Sequence, residues 1–173
     1  MAGTKGKRQT VRDMLLSLAL IGLMAGVIYL FIPHDDHAPA LKRVDYRAEL
    51  LSARRAAAYP VAAPEGLAET WKATSVRYQD DPYDAWHLGY QDPEGQYVAI
   101  EQSTQRAAAF IDDASQGAHE TKVTQSIGGQ TWQRYTGGRY DALVLHGKGS
   151  TTVVTGTASF AQLTKMAQAL RTG

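Results

Sequence analysis

Histidine and carboxylate side chains are the first candidates for chemistry in this chain. Five histidines occur, and His34 and His37 enclose two aspartates in the segment HDDH. Two imidazoles three positions apart, with carboxylates between them, are groups that bind zinc or a related ion. The segment directly follows an apolar stretch, however, and no helix or strand pattern holds its side chains in place. A group of solvated polar side chains at the membrane surface explains the HDDH segment better, so we predict no metal site and no cofactor.

Glu101 is the acidic residue whose position most invites a catalytic reading. It falls in the middle of a predicted strand beside polar neighbours, and a carboxylate in a polar cavity can act as a general acid. The exposed face of a sheet explains the same position more simply. His87 and His146 lie in different predicted strands, and the sequence does not show that they meet. A surface position or a satisfied core position explains each of them better than a site.

Motifs for nucleophilic catalysis and phosphate binding are missing from the sequence. No G-x-S-x-G or S-x-x-K pattern occurs, and the glycines match neither dinucleotide-binding nor P-loop spacing. No cysteine occurs, which excludes disulfides, cysteine-ligated metals and a lipid-modified cysteine. We therefore predict no catalytic, cofactor-binding or metal-binding residues and no enzymatic activity.

The remaining function classes are binding functions. We predict a non-catalytic binding or accessory module whose ligand-binding residues the sequence does not identify. Two alternatives stay open: an enzyme that modifies envelope polymers, with Glu101 and a histidine as acid and base, and a carrier that holds a lipid or other ligand in the concavity of its sheet. Aromatic side chains either fill the core or line such a groove; they are Trp71, Trp86, Trp132, Tyr78, Tyr90, Tyr97 and Tyr135.

Composition predicts a membrane anchor near the N-terminus. Residues 14–32 read MLLSLALIGLMAGVIYLFI, in which Ser17 is the only clearly polar residue. A helix of this length, at about 1.5 Å per residue, spans roughly the 30 Å of bilayer hydrocarbon. A cleaved signal peptide, with a site at 38–40, and a buried core helix are less favoured interpretations. Gly22 and Gly26 form a G-x-x-x-G pattern, which we attribute to chance rather than to helix dimerisation.

Charge sets the predicted orientation of this anchor. The basic residues Lys5, Lys7, Arg8 and Arg12 precede the apolar stretch, and the positive-inside rule then places the N-terminus in the cytoplasm. The net charge of the whole chain is +1, so the remainder is slightly acidic and offers no electrostatic basis for nucleic-acid binding. The predicted location is the cell membrane, single-pass, with the lipid bilayer as one partner and an unidentified envelope protein or ligand as another.

Periodicity predicts the elements beyond the anchor. Alternation of apolar and polar residues predicts strands at 71–78, 85–91 and 96–103. Glycine turns delimit four further predicted strands, at 121–127, 130–135, 140–146 and 150–156. Helical patterns occupy 44–58, 105–114 and 159–170, and Ser159 with Gln162 forms a capping box. Tight turns between strands imply antiparallel pairing.

These patterns predict an α+β fold: a transmembrane helix followed by an antiparallel sheet of about seven strands, with helices packed on one face. A closed or half-closed barrel is the alternative. We predict four segments, namely a basic cytoplasmic tail at 1–13, the transmembrane helix at 14–32, a linker at 33–43 and an extracytoplasmic α+β domain at 44–173.

Five segments carry a resemblance to a known group of proteins. They are RQTVRDMLLSL, PEGL with the following W-x-A-T-S-V-R-Y, WHLGYQDPEGQYVAIEQST, GGQTWQRY and TTVVTGTASFAQL. Together they resemble, over nearly the whole chain, the single-pass membrane proteins of actinobacteria that carry a domain of unknown function. The resemblance implies the anchor, its orientation and a compact outer domain, and it implies no activity.

Overall fold

The computed structural model describes the backbone of residues 5–31 and 42–172, and the side chains of residues 11–29 and 42–172. The HDDH segment and the possible cleavage site at 38–40 lie outside these residues. The chain forms two compact units, Met1–Ala40 and Leu41–Gly173.

The N-terminal unit contains one long helix, α1 (Lys5–Phe31). Its apolar part, Val11–Tyr29, has a mean hydropathy of 1.9 over 19 residues and is long enough to cross a membrane. The large side chains of this stretch are exposed; Leu18, for example, is 67% exposed. An apolar helical surface of this kind is stable in lipid, where the helix satisfies its own backbone hydrogen bonds. The chain therefore carries one candidate membrane helix among its described residues.

The C-terminal unit is built on a seven-stranded antiparallel sheet, as the sequence predicts. In chain order the elements are α2 (Arg47–Ala56), β1 (Ala62–Pro64), β2 (Lys72–Gln79), β3 (Ala85–Gln91), β4 (Tyr97–Ser103), α3 (Ala107–Ser115), β5 (His119–Ile127), β6 (Gln130–Thr136), β7 (Asp141–His146), β8 (Thr151–Gly156), α4 (Phe160–Ala169) and β9 (Leu170–Thr172). The sheet order is β2-β3-β4-β8-β7-β6-β5. Two meanders thus meet where β4 pairs with β8, and the sheet stays open rather than closing into a barrel.

Two short strands were not predicted from the sequence. β1 and β9 pair antiparallel, with Ala63 opposite Arg171. Each has three residues, which is too short to show a period of two, and their pairing joins positions near opposite ends of the unit. Pairing across such a separation leaves no local sequence signal.

The main core lies on the face of the sheet that packs against α2 and α4. Alternate residues of the central strands point into it, including Leu88, Ile100 and Val154, all fully buried. Leu163 and Met166 of α4 cover them. The alternation predicted for β3 and β4 is confirmed, because every second side chain of these strands enters one core.

The prediction of helices on one face holds for α2 and α4 but is wrong for α3. Phe110 and Ile111 of α3 pack on the opposite face, over Ala142, Val144 and Val153. The physical reason is the composition of the central strands. All six residues of β8 are buried, so both faces of the sheet need an apolar cover.

A side-chain cap marks the start of α4, and an aspartate just before α2 bonds to the first residue of that helix. Ser159 Oγ accepts a hydrogen bond from the backbone N–H of Gln162 at 3.4 Å, as half of the predicted capping box. The Gln162 amide donates instead to Glu94, at 2.9 Å. At α2, the Asp45 carboxylate accepts from the backbone N–H of Arg47 at 3.1 Å.

Candidate functional site

Three neighbouring strands bring a serine, a histidine and a glutamate together. The hydroxyl of Ser75 (β2) lies 2.8 Å from Nε2 of His87 (β3), and Nδ1 of His87 lies 2.6 Å from Oε1 of Glu101 (β4). His87 and Glu101 stand directly opposite each other in the ladder. We call these three residues the relay. They lie on the α3 face of the sheet, away from the main core.

A glycine makes room for the relay. Ser75 stands opposite Gly89 in the ladder, and a Cβ added at position 89 would collide with the Ser75 hydroxyl. The same Cβ would come within 3.3 Å of His87 Nε2 and of the Tyr97 ring. The side chains of His87 and Glu101 are 19% and 20% exposed. The relay is therefore closely packed but still reached by solvent.

The order of these hydrogen bonds is that of an acid–base relay. A carboxylate on Nδ1 fixes the imidazole tautomer, and Nε2 can then accept a proton from a hydroxyl. The sequence predicts Glu101 on the exposed face of a sheet and favours a surface or satisfied core position for His87. The structure brings Glu101 and His87 together and adds Ser75. No sequence motif identifies Ser75, because the three residues come from three separate strands.

Two tyrosines border the relay at Glu101. The rings of Tyr97 and Tyr140 lie 5.8 Å apart, and they line a shallow cavity of about 250 Å³ with Glu101 and Asp113. Burial raises the pKa of Tyr97 to about 12, and the charge of Glu101 adds to that rise. Tyr97 is therefore a neutral hydrogen-bonding group at physiological pH.

A larger pocket lies on the main-core face, at the end of the sheet where β5 turns into β6 and β7 into β8. Its volume is about 460 Å³, within the range of small-molecule sites. We call it the end pocket. Its wall consists of Pro60, Ala62, Gln102, Ile127, Gly128, Gln130, Trp132, Leu145, Gly147, Lys148, Ser150, Thr152, Ala167, Gln168, Leu170, Arg171 and Thr172.

The end pocket has cations and no acids in its wall. Lys148, in the β7–β8 turn, and Arg171, in β9, are its charged residues, and among the described residues neither is in an ion pair. Gln102 is buried there and satisfied: its Oε1 accepts from Ala62 N at 2.7 Å, and its amide donates to Thr152 at 3.0 Å. The electrostatic field in this pocket favours a negatively charged ligand.

One donor in the wall of the end pocket has no partner. Trp132 is 2% exposed, and its indole N–H makes no hydrogen bond within the protein. Nearly all buried polar groups in folded proteins are paired. Trp132 therefore lines the end pocket while its indole N–H is a buried donor without an acceptor in the protein.

A second pocket, of about 540 Å³, lies between the start of α2 and the loop after β1. We call it the loop pocket. Its wall includes Trp71, whose indole N–H is also unpaired. Arg43 donates to the backbone oxygens of Glu69, at 2.6 Å, and of Trp71, at 3.2 Å. Two arginines and two acids, Asp45 among them, line this pocket, so its charges balance and it favours no sign of ligand charge.

Comparison with known proteins identifies the family of this chain. A family model described as "Protein of unknown function (DUF4245)" matches residues 7–170. The chain belongs to the DUF4245 family. Comparison with curated proteins and with solved structures finds no match. The DUF4245 match runs from the N-terminal tail through α4, so the candidate membrane helix and the C-terminal unit are parts of one family pattern.

The other residues singled out in the sequence are dispersed in this DUF4245 chain. His119 and His146 are exposed on separate strands, and the described residues hold no group of three metal-binding side chains. Trp71, Trp86 and Trp132 are buried in the core, as the core-filling interpretation predicts. Trp71 and Trp132 also line the loop pocket and the end pocket. The helical pattern at 44–58 also predicts Leu51 on the apolar face of that helix. This prediction is wrong, because Leu51 is 55% exposed.

Proposed function

We propose that this DUF4245 protein is a membrane-anchored, non-catalytic binding module of the cell envelope, with α1 as its anchor and the C-terminal unit outside. The length and apolarity of Val11–Tyr29 support the anchor. Four basic residues before residue 14 and only one in the ten positions after residue 32 support the orientation. In this proposal the end pocket is the binding site.

The end pocket is the observation that carries the proposal. Its wall combines apolar side chains with polar ones. It also contains Trp132, whose buried N–H has no partner, and two cations, Lys148 and Arg171, without ion-pair partners among the described residues. Binding sites typically have a largely apolar lining and a few polar groups that orient the ligand.

The packing of the relay favours binding over catalysis. The Ser75 hydroxyl fills the space that Gly89 leaves open, and the walls of the three cavities include neither Ser75 nor His87. A nucleophile needs a site about 3 Å away where the reacting atom can sit. In this proposal the relay is a cross-strand hydrogen-bond network that ties β2 and β3 to β4.

Native mass spectrometry of the full-length protein, released from membranes of the cells that make it, tests the proposal. We expect a bound small molecule on the wild type. Gln168 is exposed on α4 and lines the end pocket, so Gln168→Trp narrows the mouth of the pocket. The fraction of protein that carries a bound molecule should then fall by about tenfold or more. Ala161→Trp is the matched control, because Ala161 is exposed on the same helix but does not line the pocket. A wild type without bound mass, or equal occupancy in Gln168→Trp, would overturn the proposal.

A second candidate function is hydrolysis at the relay. The specific observation is the continuous hydrogen-bond path from Ser75 Oγ through both nitrogens of His87 to Glu101. A fluorophosphonate probe tests it: the Ser75 oxygen would bond to phosphorus, fluoride would leave, and the hydroxyl proton would pass to His87. Labelling in the wild type that is lost in His87→Ala would support hydrolysis. An unlabelled wild type would leave the relay with its packing role.

A further inference from the structure

We propose that the ligand of the end pocket is an anionic amphiphile: an apolar chain that carries a single carboxylate or phosphate group. This inference rests on the proposed binding function and adds the chemical class of the ligand. The chain would lie against Ile127, Trp132 and Leu145, and the acid group would be held by Lys148 and Arg171.

The apolar part of the wall accounts for the chain. Ile127 and Trp132 are 4% and 2% exposed and belong to the main core, against which Leu145 and Leu170 also pack. The pocket therefore opens directly onto core side chains. A chain of methylene groups entering it gains the same apolar contacts that the core residues make with one another.

The cations account for the acid group. Lys148 is exposed at the tip of the β7–β8 turn. One terminal nitrogen of Arg171 donates to the backbone oxygens of Gln168 and Leu170. These bonds fix the guanidinium while leaving further donors of its five N–H groups. No acidic residue lines the end pocket. The acid group of the ligand therefore does not compete with a carboxylate of the protein for these two cations.

The indole of Trp132 adds a donor close to the core. Its ring lines the pocket, and its N–H is buried and makes no hydrogen bond within the protein. The loop pocket provides a comparison within the same molecule. Trp71 there also has an unpaired indole N–H, but the surrounding acids and bases balance. An anionic ligand should therefore bind in the end pocket and change the surroundings of Trp132, and it should leave those of Trp71 unchanged.

Fluorine NMR of full-length protein containing 5-fluorotryptophan, in nanodiscs of zwitterionic phosphatidylcholine, tests this inference. The chain has three tryptophans, and Trp132→Phe assigns the resonance of Trp132. The probes are sodium decanoate, 1-decanol and inorganic phosphate, compared at matched loading of the membrane. We expect decanoate to shift the Trp132 resonance saturably, at concentrations at least about tenfold lower than the other two, because a bond to a charged group is worth about tenfold or more in affinity.

Charge variants complete the test. Lys148→Gln and Arg171→Gln should each weaken decanoate binding by about tenfold and leave the decanol response unchanged. Lys122→Gln, at an exposed lysine of β5 outside the pocket, is the control and should bind decanoate like the wild type.

Two results would overturn the inference in different ways. If decanol and decanoate saturate equally, or phosphate alone matches decanoate, the pocket binds a ligand of another class and the proposed binding function stands. If no probe shifts Trp132 and mass spectrometry finds no bound molecule, the binding function fails together with the inference.

Discussion

At position 89, the absence of a side chain allows β2, β3 and β4 to hold the relay. The Ser75 hydroxyl occupies the volume that a Cβ would need, and backbone atoms of the ladder fix both residues. Gly89→Ala must push Ser75 away from His87. Overpacking of this kind costs about 1–3 kcal/mol. We expect that loss in the free energy of unfolding, measured by urea titration with tryptophan fluorescence.

A double-mutant cycle separates this collision from a general effect of alanine in a strand. Ser75→Ala removes the hydroxyl, so Gly89→Ala should cost less in that background than in the wild type. Equal costs in the two backgrounds would mean that the collision with Ser75 does not determine the choice of glycine.

The raised pKa of Tyr97, which borders the relay, should make the free energy of unfolding depend on pH in the alkaline range. An unfolded tyrosine has a pKa of about 10, and burial raises the pKa of Tyr97 to about 12. The folded state therefore holds this proton more tightly. The resulting stability is complete below about pH 10 and is lost as the pH rises towards the folded pKa. We expect the stability difference between wild type and Tyr97→Phe to fall by roughly 1–2 kcal/mol across this window.

The variant Glu101→Gln tests whether the charge of Glu101 contributes to the raised pKa of Tyr97. Because the charge of Glu101 contributes to the raised pKa of Tyr97, its removal should move the alkaline loss to lower pH. If the free energies of unfolding of wild type and Tyr97→Phe change in parallel between about pH 10 and pH 12, Tyr97 has the same pKa in the folded and unfolded chain, and the prediction is contradicted.

At the scale of elements, local pattern predicts most of the C-terminal unit. Every strand of the main sheet and all three of its helices follow from alternation, glycine turns and helical periodicity, because those signals lie within each segment. β1 and β9 do not follow, since their pairing depends on distant residues. The position of α3 on the opposite face also could not be predicted, because it depends on burial of both faces of β8.

Ser159 provides a test of how α4 begins. Its hydroxyl accepts from the backbone of Gln162, and replacing an N-cap serine by alanine costs about 1 kcal/mol. We expect that loss for Ser159→Ala and only a few tenths of a kcal/mol for Ser159→Gly. Gln162→Ala should cost less than Ser159→Ala, because its side chain bonds to Glu94 on the surface. Urea unfolding of the three variants checks this order, and an equal loss for all three would contradict it.

At the scale of the whole molecule, the candidate sites are products of tertiary assembly. The sequence identifies Glu101 and His87 but not their contact, since strand register decides which side chains meet. The end pocket draws its wall from β1, from β4 to β9 and from α4. Its cation Arg171 belongs to an unpredicted strand. Sequence patterns therefore predict the scaffold well and the sites poorly.

The absence of native cysteine makes the anchored orientation directly measurable. Single-cysteine variants Gln9→Cys, in the N-terminal tail, and Thr124→Cys, at an exposed position of β5, are treated in intact cells with a membrane-impermeant maleimide. We expect the full-length protein in the membrane fraction, with Thr124→Cys labelled at once and Gln9→Cys labelled only after lysis. Labelling of Gln9→Cys but not Thr124→Cys, or recovery of the full-length protein in the soluble fraction, would contradict the proposal of an anchored envelope module.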